Sequence, residues 1–152
     1  MNKNIDACLS SNSDDWKTPS WLFNLFIGKG YIDLFPYKST ENQFDKTYMN
    51  ERLYINPPFS KLNKVIDYVI DLFYRNNKIA LLMPVRTDTR YFHKLFDSCC
   101  LDMTILFIKG RLHFNDCPYG APFPCMLVLL GFNNFECNYY CVEQKDIANY
   151  VE

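Results

Sequence analysis

The sequence predicts an α/β domain: a mostly parallel sheet covered by helices on both faces. Three observations carry that prediction. Apolar, strand-like runs alternate with helical stretches along the chain. One run, KIALLM at 78–83, is continuously apolar, as a strand buried on both faces must be. Between 61 and 76 the apolar positions are Leu62, Val65, Ile66, Val69, Ile70 and Phe73, the spacing of an amphipathic helix. The chain has 152 residues, enough for one domain with a real core.

Taken in order, residues 1–14 read as a flexible arm of Asn, Ser and Asp with little to bury, and 15–152 as the single domain. Thr18-Pro19-Ser20 starts a helix that runs to about Ile27, where Gly28 and Gly30 stop it. YIDLF (31–35) is a short strand, and 36–50 a polar loop with one helical turn. RLYI (52–55) is a second strand. After the amphipathic helix and the 78–83 strand, closed by Pro84, RYFHKLFDSC (90–99) is a short helix. MTILFI (103–108) and CMLVLLGF (125–132) are further strands, separated by a Gly/Pro loop. The Met and aromatic residues of 61–83 are expected in the core.

Composition narrows the chemistry. Sixteen basic residues nearly balance seventeen acidic ones, so a polyanion site has to be a local patch. No run of 18 apolar residues exists to span a membrane, and the N-terminus has no apolar signal segment. Seven cysteines without a C-x-x-C pair read as reduced intracellular thiols. His93 and His113 lack ligand spacing to them, so no metal site is expected. Fifteen asparagines, with many Lys, Tyr, Phe and Ile, are a compositional hint of an A/T-rich coding genome.

The stretch LYINPPFSK (53–61) poses the functional question. In α/β sheets, ligands sit beyond the carboxyl ends of the strands, which is where Asn56-Pro57-Pro58-Phe59 falls. An exocyclic amine on a nucleobase is a poor nucleophile because its lone pair is delocalised into the ring. Methylating it calls for acceptors that draw the nitrogen towards tetrahedral geometry. The Asn56 side-chain carbonyl is one acceptor and the Pro57 backbone carbonyl a second. The paired prolines fix φ and hold that carbonyl in place, and Phe59 offers a face for a flipped base.

Asn-Pro-Pro-Phe resembles the catalytic motif of S-adenosylmethionine-dependent amino-methyltransferases. DDWKTPSWLF (14–23), PVRTDTRYFHKLF (84–96), GRLHF (110–114) and APFPCMLVLL (121–130) narrow the resemblance to the phage-type DNA N6-adenine methyltransferases. It covers roughly 14–132 in the expected motif order. The resemblance implies a Rossmann-like methyltransferase fold, S-adenosylmethionine as cofactor, DNA as partner, and a phage- or virus-encoded protein in the infected cell. It implies that Trp16, Thr18, Pro19, Asp33 and Asn56 meet the cofactor, and that Asn56, Pro57, Pro58 and Phe59 hold the target amine. It further implies that Arg86, Asp88, Arg90 and Arg111 frame the nucleic-acid side of the cleft.

The residues themselves leave ion pairing with Asp88, Asp97 and other acids open for the arginines; they favour packing or hydrogen bonding on its helix over proton chemistry for His93, and a packing anchor over a base-contacting wedge for Phe123. One departure stands out. The family places a second acid where this chain has Phe35, and Tyr37 and Lys38 replace small residues. On a strand, 33 and 35 share a face, so substitution by Asp33 from one layer deeper and a weakened donor site are equal expectations. The competing expectations are an inert relative acting as a nucleic-acid-binding module or partner subunit, and the same chemistry on RNA adenine or a glutamine amide. A homo-oligomer is compatible with all of them. The chain is too short for a separate recognition domain.

Overall fold

The computed structural model describes residues 16–152; the predicted N-terminal arm, Cys8 and the Asp14-Asp15 pair lie outside the described residues. The core is a mixed six-stranded sheet in the order β1-β2-β3-β5-β4-β6. Its strands are β1 (Ile32–Asp33), β2 (Arg52–Ile55), β3 (Lys78–Pro84), β4 (Met103–Ile108), β5 (Cys125–Leu130) and β6 (Tyr139–Val142). Pairing is parallel from β1 through β2 to β3 and between β4 and β6. β5 lies between β3 and β4 and runs against both. The central strand β3 therefore has one parallel and one antiparallel neighbour, where the sequence predicts a parallel setting. The arrangement is α/β and compatible with a Rossmann-like fold.

The alternation of side chains along each strand divides the interior into two layers. On one face, Leu53, Ile55, Ile79, Leu81, Met83, Val128 and Leu130 pack under two helices, α2 (Leu62–Tyr74) and α3 (Arg90–Cys99). On the other, Tyr54, Ala80, Leu82, Leu127 and Leu129 pack under α1 (Ser20–Gly28) and the C-terminal residues Ile147 and Val151. β3 and β5 are buried along nearly their whole length, and each such aliphatic side chain stabilises the fold by about 1.5–3 kcal/mol relative to exposure.

α1 starts one residue after Pro19, whose carbonyl accepts the N–H groups of Leu22 and Phe23 at 3.0 Å. Its cap comes from far along the chain: Asp116 accepts the Ser20 N–H at 2.8 Å and the Ser20 hydroxyl. A carboxylate there satisfies an otherwise orphaned N–H and opposes the positive end of the helix dipole. These bonds hold the Asp116 carboxyl below the usual carboxylate range. Asn115 and Asp116 both adopt left-handed φ values, 57° and 49°, a conformation Asn and Asp tolerate better than most residues. Asn115 also exchanges hydrogen bonds with Lys17, accepting its N–H at 3.0 Å and donating to its carbonyl at 2.9 Å.

Three local readings change. The predicted 31–35 strand stops at Asp33, because its carboxylate accepts the Phe35 N–H at 3.2 Å and turns the chain. β5 ends at Leu130 rather than at Phe132. Tyr74 is 69% exposed rather than core, with its hydroxyl donating to the Ser98 carbonyl at 3.0 Å. Two C-terminal elements, β6 and a 3-10 segment at Gln144–Asn149, have no counterpart in the sequence reading. No helix among the described residues is long and apolar enough to cross a membrane. No group of three or more potential metal ligands gathers among them.

Candidate functional site

Two buried asparagines show what distinguishes a structural amide from a candidate functional one. Asn77 is 2% exposed. Its Nδ2 donates to the carbonyls of Leu72 at 2.8 Å and Tyr48 at 2.9 Å, and its Oδ1 accepts the Glu51 N–H at 2.9 Å. Each side of that amide is used, tying the end of α2 to the start of β2. Asn56 is 8% exposed and sits just past the carboxyl end of β2. Its Nδ2 donates to the Trp16 carbonyl at 2.6 Å and to Thr18 Oγ1 at 3.0 Å. Its Oδ1 is buried and has no hydrogen-bond partner among the described residues. The orientation follows from chemistry: a backbone carbonyl can only accept, so the atom facing Trp16 must be the nitrogen. An unmatched buried acceptor is destabilising by about 1–3 kcal/mol, and a ligand N–H is what would relieve it.

Asn56 lines a cavity of about 780 Å³ beyond the carboxyl ends of β1 and β2, within the roughly 300–1,000 Å³ typical of small-molecule sites. One wall is Trp16 to Thr18 with Ser20 and Phe23, another Asn56 to Pro58 with Lys61, and a third the loop from Phe35 to Phe44. Asp33 forms part of the lining. Its register partner is Tyr54 on β2, so Asp33 and Tyr54 share one face of the sheet, and Asn56, just past the strand, is tied to the same side through Thr18. Burial pushes the Asp33 carboxyl up to about 6, against the opposing effect of the Phe35 N–H. No ion pair reaches Asp33 from a described residue.

Phe35 does not share Asp33's setting. The bend after β1 turns its ring into the α2 side, edge-on to Phe44 at 5.6 Å, and Phe44 in turn meets Tyr68. The expectation that 33 and 35 point the same way fails because the strand ends between them. Both residues still border the cavity.

Four of the sequence motifs converge around an aromatic cluster. Trp16 lies edge-on to Phe114 at 5.6 Å and Phe123 at 5.4 Å. Phe59 meets the same two rings at 6.2 and 5.5 Å. Phe123 is thus a packing anchor, and it joins the 121–124 segment to Asn-Pro-Pro-Phe. Phe59 is half-buried and lies outside the cavity lining, as does the buried Pro19.

The RTDTR segment follows β3 and is stitched to the aromatic cluster by the Val85 N–H donating to the Pro124 carbonyl at 2.9 Å. Within it, the Thr89 hydroxyl donates to the Arg86 carbonyl at 2.7 Å. The His93 ring donates from Nε2 to the Thr87 carbonyl at 2.8 Å, so His93 holds the loop. Arg86, Asp88, Arg90 and Arg111 are all exposed. None of the three arginines enters an ion pair among the described residues, Asp88 and Asp97 included. Arg111 lies close enough to Cys125 for its charge to act on that thiol, although burial dominates and drives the thiol up to about 12. Gly120 passes directly against it: a Cβ there would stand 2.6 Å from Arg111 Cβ. Asp88 and Arg90 border a separate shallow depression with His93 and Lys94, away from the cavity.

Sequence reasoning passed over Tyr54, Phe114, Asn115, Asp116 and the 35–44 cavity wall. Tyr54 was accessible to it: two residues before Asn56 on a strand means the same face. The role of 115–116 was not, because it depends on a contact nearly a hundred residues away. Comparison with protein-family models, curated proteins and solved structures returned no match.

Proposed function

We propose that this protein is a DNA adenine N6-methyltransferase that uses S-adenosylmethionine. The observation that carries the reading is the Asn56 amide, whose N–H groups are engaged by Trp16 and Thr18 while its buried oxygen, at a cavity wall, has no partner among the described residues. A pre-oriented acceptor of that kind serves an exocyclic amine. Asn56 Oδ1 and the Pro57 carbonyl accept the amine's two N–H groups and turn its lone pair out of the ring. Pro57 and Pro58 hold the second acceptor with little conformational freedom. Phe59, braced by Phe114 and Phe123, supports the base. The remaining work is alignment of two reactants, for which positioning alone is a large catalytic term. The five motifs that resemble the phage-type enzymes favour adenine in DNA as the acceptor.

The donor fits the cavity's residues. Asp33 is a desolvated carboxylate without a cation among the described residues, suited to an ammonium group, and Trp16 and Phe44 offer aromatic walls. S-adenosylmethionine, when bound, supplies an electrophilic methyl group on its sulfonium. Arg86, Arg90 and Arg111 are exposed, enter no ion pair among the described residues, and suit phosphate contacts.

Phe35, standing where the resembling enzymes carry an acid, favours a second reading: an inert relative that keeps the nucleic-acid side. Transfer of tritium from labelled S-adenosylmethionine to DNA, RNA and protein in parallel decides between them. Label recovered as N6-methyladenine from DNA is the expected result. Label only in RNA or in glutamine redirects the substrate assignment. No label, with no calorimetric cofactor binding, leaves the inert relative.

A further inference from the structure

We propose that Thr18 and Tyr54 are positioning residues that hold the Asn56 amide in its amine-accepting orientation and strengthen its oxygen as an acceptor. The proposal rests on the methyltransferase reading above and adds a role for two residues to it. Trp-Lys-Thr-Pro then serves as more than a cofactor wall: it is the clamp on the acceptor-side asparagine.

The geometry is a short chain of hydrogen bonds. Asn56 Nδ2 donates to Thr18 Oγ1 at 3.0 Å, and Thr18 Oγ1 and the Tyr54 hydroxyl lie 3.0 Å apart. Thr18 is 7% exposed and Tyr54 fully buried. The Tyr54 ring is itself fixed, stacked on Phe26 at 4.3 Å and 19°. It therefore sets where the Thr18 oxygen can sit, and the Thr18 oxygen sets where the Asn56 nitrogen can sit. The second anchor, the Trp16 carbonyl, is on the same short segment, which Asn115 and Asp116 pin down through Lys17 and Ser20.

The physical consequence reaches the oxygen. When an amide donates both N–H groups, its nitrogen lone pair shifts further into the carbonyl, and the oxygen becomes a stronger acceptor; hydrogen-bonded chains reinforce one another in this way. Rotating the amide by half a turn would set its oxygen against the Trp16 carbonyl, two acceptors facing each other. The site thus excludes the orientation that would offer N–H groups to an incoming amine. A target amine needs an acceptor, so this selection acts on the reacting state.

Three variants test the assignment in single-turnover methyl transfer. Thr18→Val keeps the shape and removes the acceptor; the single-turnover rate constant at saturating donor and DNA should fall about 10- to 100-fold, the pattern of an interaction used in the transition state. Thr18→Ser restores the hydroxyl and should recover most of the rate. Tyr54→Phe keeps the stacked ring and should fall between them. A readout independent of turnover is the Asn56 side-chain amide pair in nitrogen-15 NMR, assigned by its loss in Asn56→Asp. One of its two protons should move in Thr18→Val and return in Thr18→Ser. Wild-type turnover in a folded Thr18→Val, or amide resonances that do not move, would overturn the proposal. A folded Thr18→Ser that fails to recover would also overturn it, by making the role one of shape. If the wild type transfers no methyl group to any acceptor, the methyltransferase reading fails, and the amide resonances still decide whether Thr18 holds Asn56.

Discussion

Replacing Asp33 with asparagine should make the folded protein more stable at neutral pH. The side chain sits in the cavity wall with burial pushing its carboxyl from 3.8 up to about 6. A raised pKa on an acid means that the folded state holds the proton more tightly than the unfolded chain does. Below about pH 4 the carboxyl is protonated in both states and imposes no penalty. As pH climbs from about 4 through 6 the unfolded chain ionises first, and stability is lost; above 6 the full penalty stands. At about 1.4 kcal/mol per pH unit of displacement, the penalty is about 2–3 kcal/mol. Asparagine is neutral and nearly isosteric, and its Oδ1 can keep the bond from the Phe35 N–H. Urea unfolding of both proteins from pH 3.5 to 8 checks this. Their stabilities should coincide at the acid end, diverge between pH 4 and 6, and differ by about 2–3 kcal/mol at pH 7, or roughly 10 °C in Tm for a chain of this size. The same substitution should weaken S-adenosylmethionine binding markedly in calorimetry, because a charge-assisted ammonium contact becomes a neutral one. An Asp33→Asn protein that is less stable than wild type at pH 7, or whose advantage does not vary with pH, would refute the reasoning.

Asn56→Ala should abolish methyl transfer with cofactor affinity nearly unchanged, since the lost acceptor acts on the target amine; turnover above about a tenth of wild type would remove Asn56 from that role. Arg86→Ala, Arg90→Ala and Arg111→Ala should each flatten the log–log salt dependence of DNA binding by about one unit for every phosphate contact removed, and three unchanged slopes would make these arginines bystanders. Gly120→Ala should mimic Arg111→Ala in the same assay, because the new Cβ must displace Arg111. Asp116→Ala should lower stability at pH 7, with the difference fading as pH falls through the depressed Asp116 range; a difference that persists in acid would mean that the carboxylate is not the cap.

What the sequence revealed and concealed follows the range of the interactions involved. α2 was legible because its apolar spacing is local and continuous, and α3 because Phe92, Leu95 and Cys99, its buried residues, recur at i, i+3 and i+7. β3 was legible as a doubly buried strand, yet the direction of its second neighbour was not, since burial says nothing about polarity. β1 was overextended because the Asp33 side chain competes with the ladder for the backbone, a contest that periodicity does not register. β6 was missed because it is a half-exposed edge strand. At the site, Asn56 could be placed from its position after an apolar strand. The cavity's far wall, from Phe35 to Phe44, could not, because a polar loop carries no period.

The contrast between Asn56 and Asn77 bears on how such a site can be recognised when no relative is at hand. Both amides are buried, both follow or precede a strand, and both donate two hydrogen bonds. Burial and the number of donated bonds therefore do not separate them. What separates them is the acceptor: Asn77 uses its oxygen on Glu51, and the Asn56 oxygen, where a cavity begins, has no partner among the described residues. Asp33, on the same side of the sheet, carries a second unmet demand, a buried carboxylate without a cation among the described residues. One group lacks an N–H donor and the other lacks a positive charge. An amine acceptor and a donor bearing an ammonium group would meet those two needs separately, and a fold selected only for stability would have met both with its own side chains. The two deficits lie in one cavity beyond the ends of adjacent strands, so donor and acceptor would meet there side by side. That coincidence, more than any one residue, argues that the Asn-Pro-Pro-Phe corner is built to receive substrates rather than to end a strand.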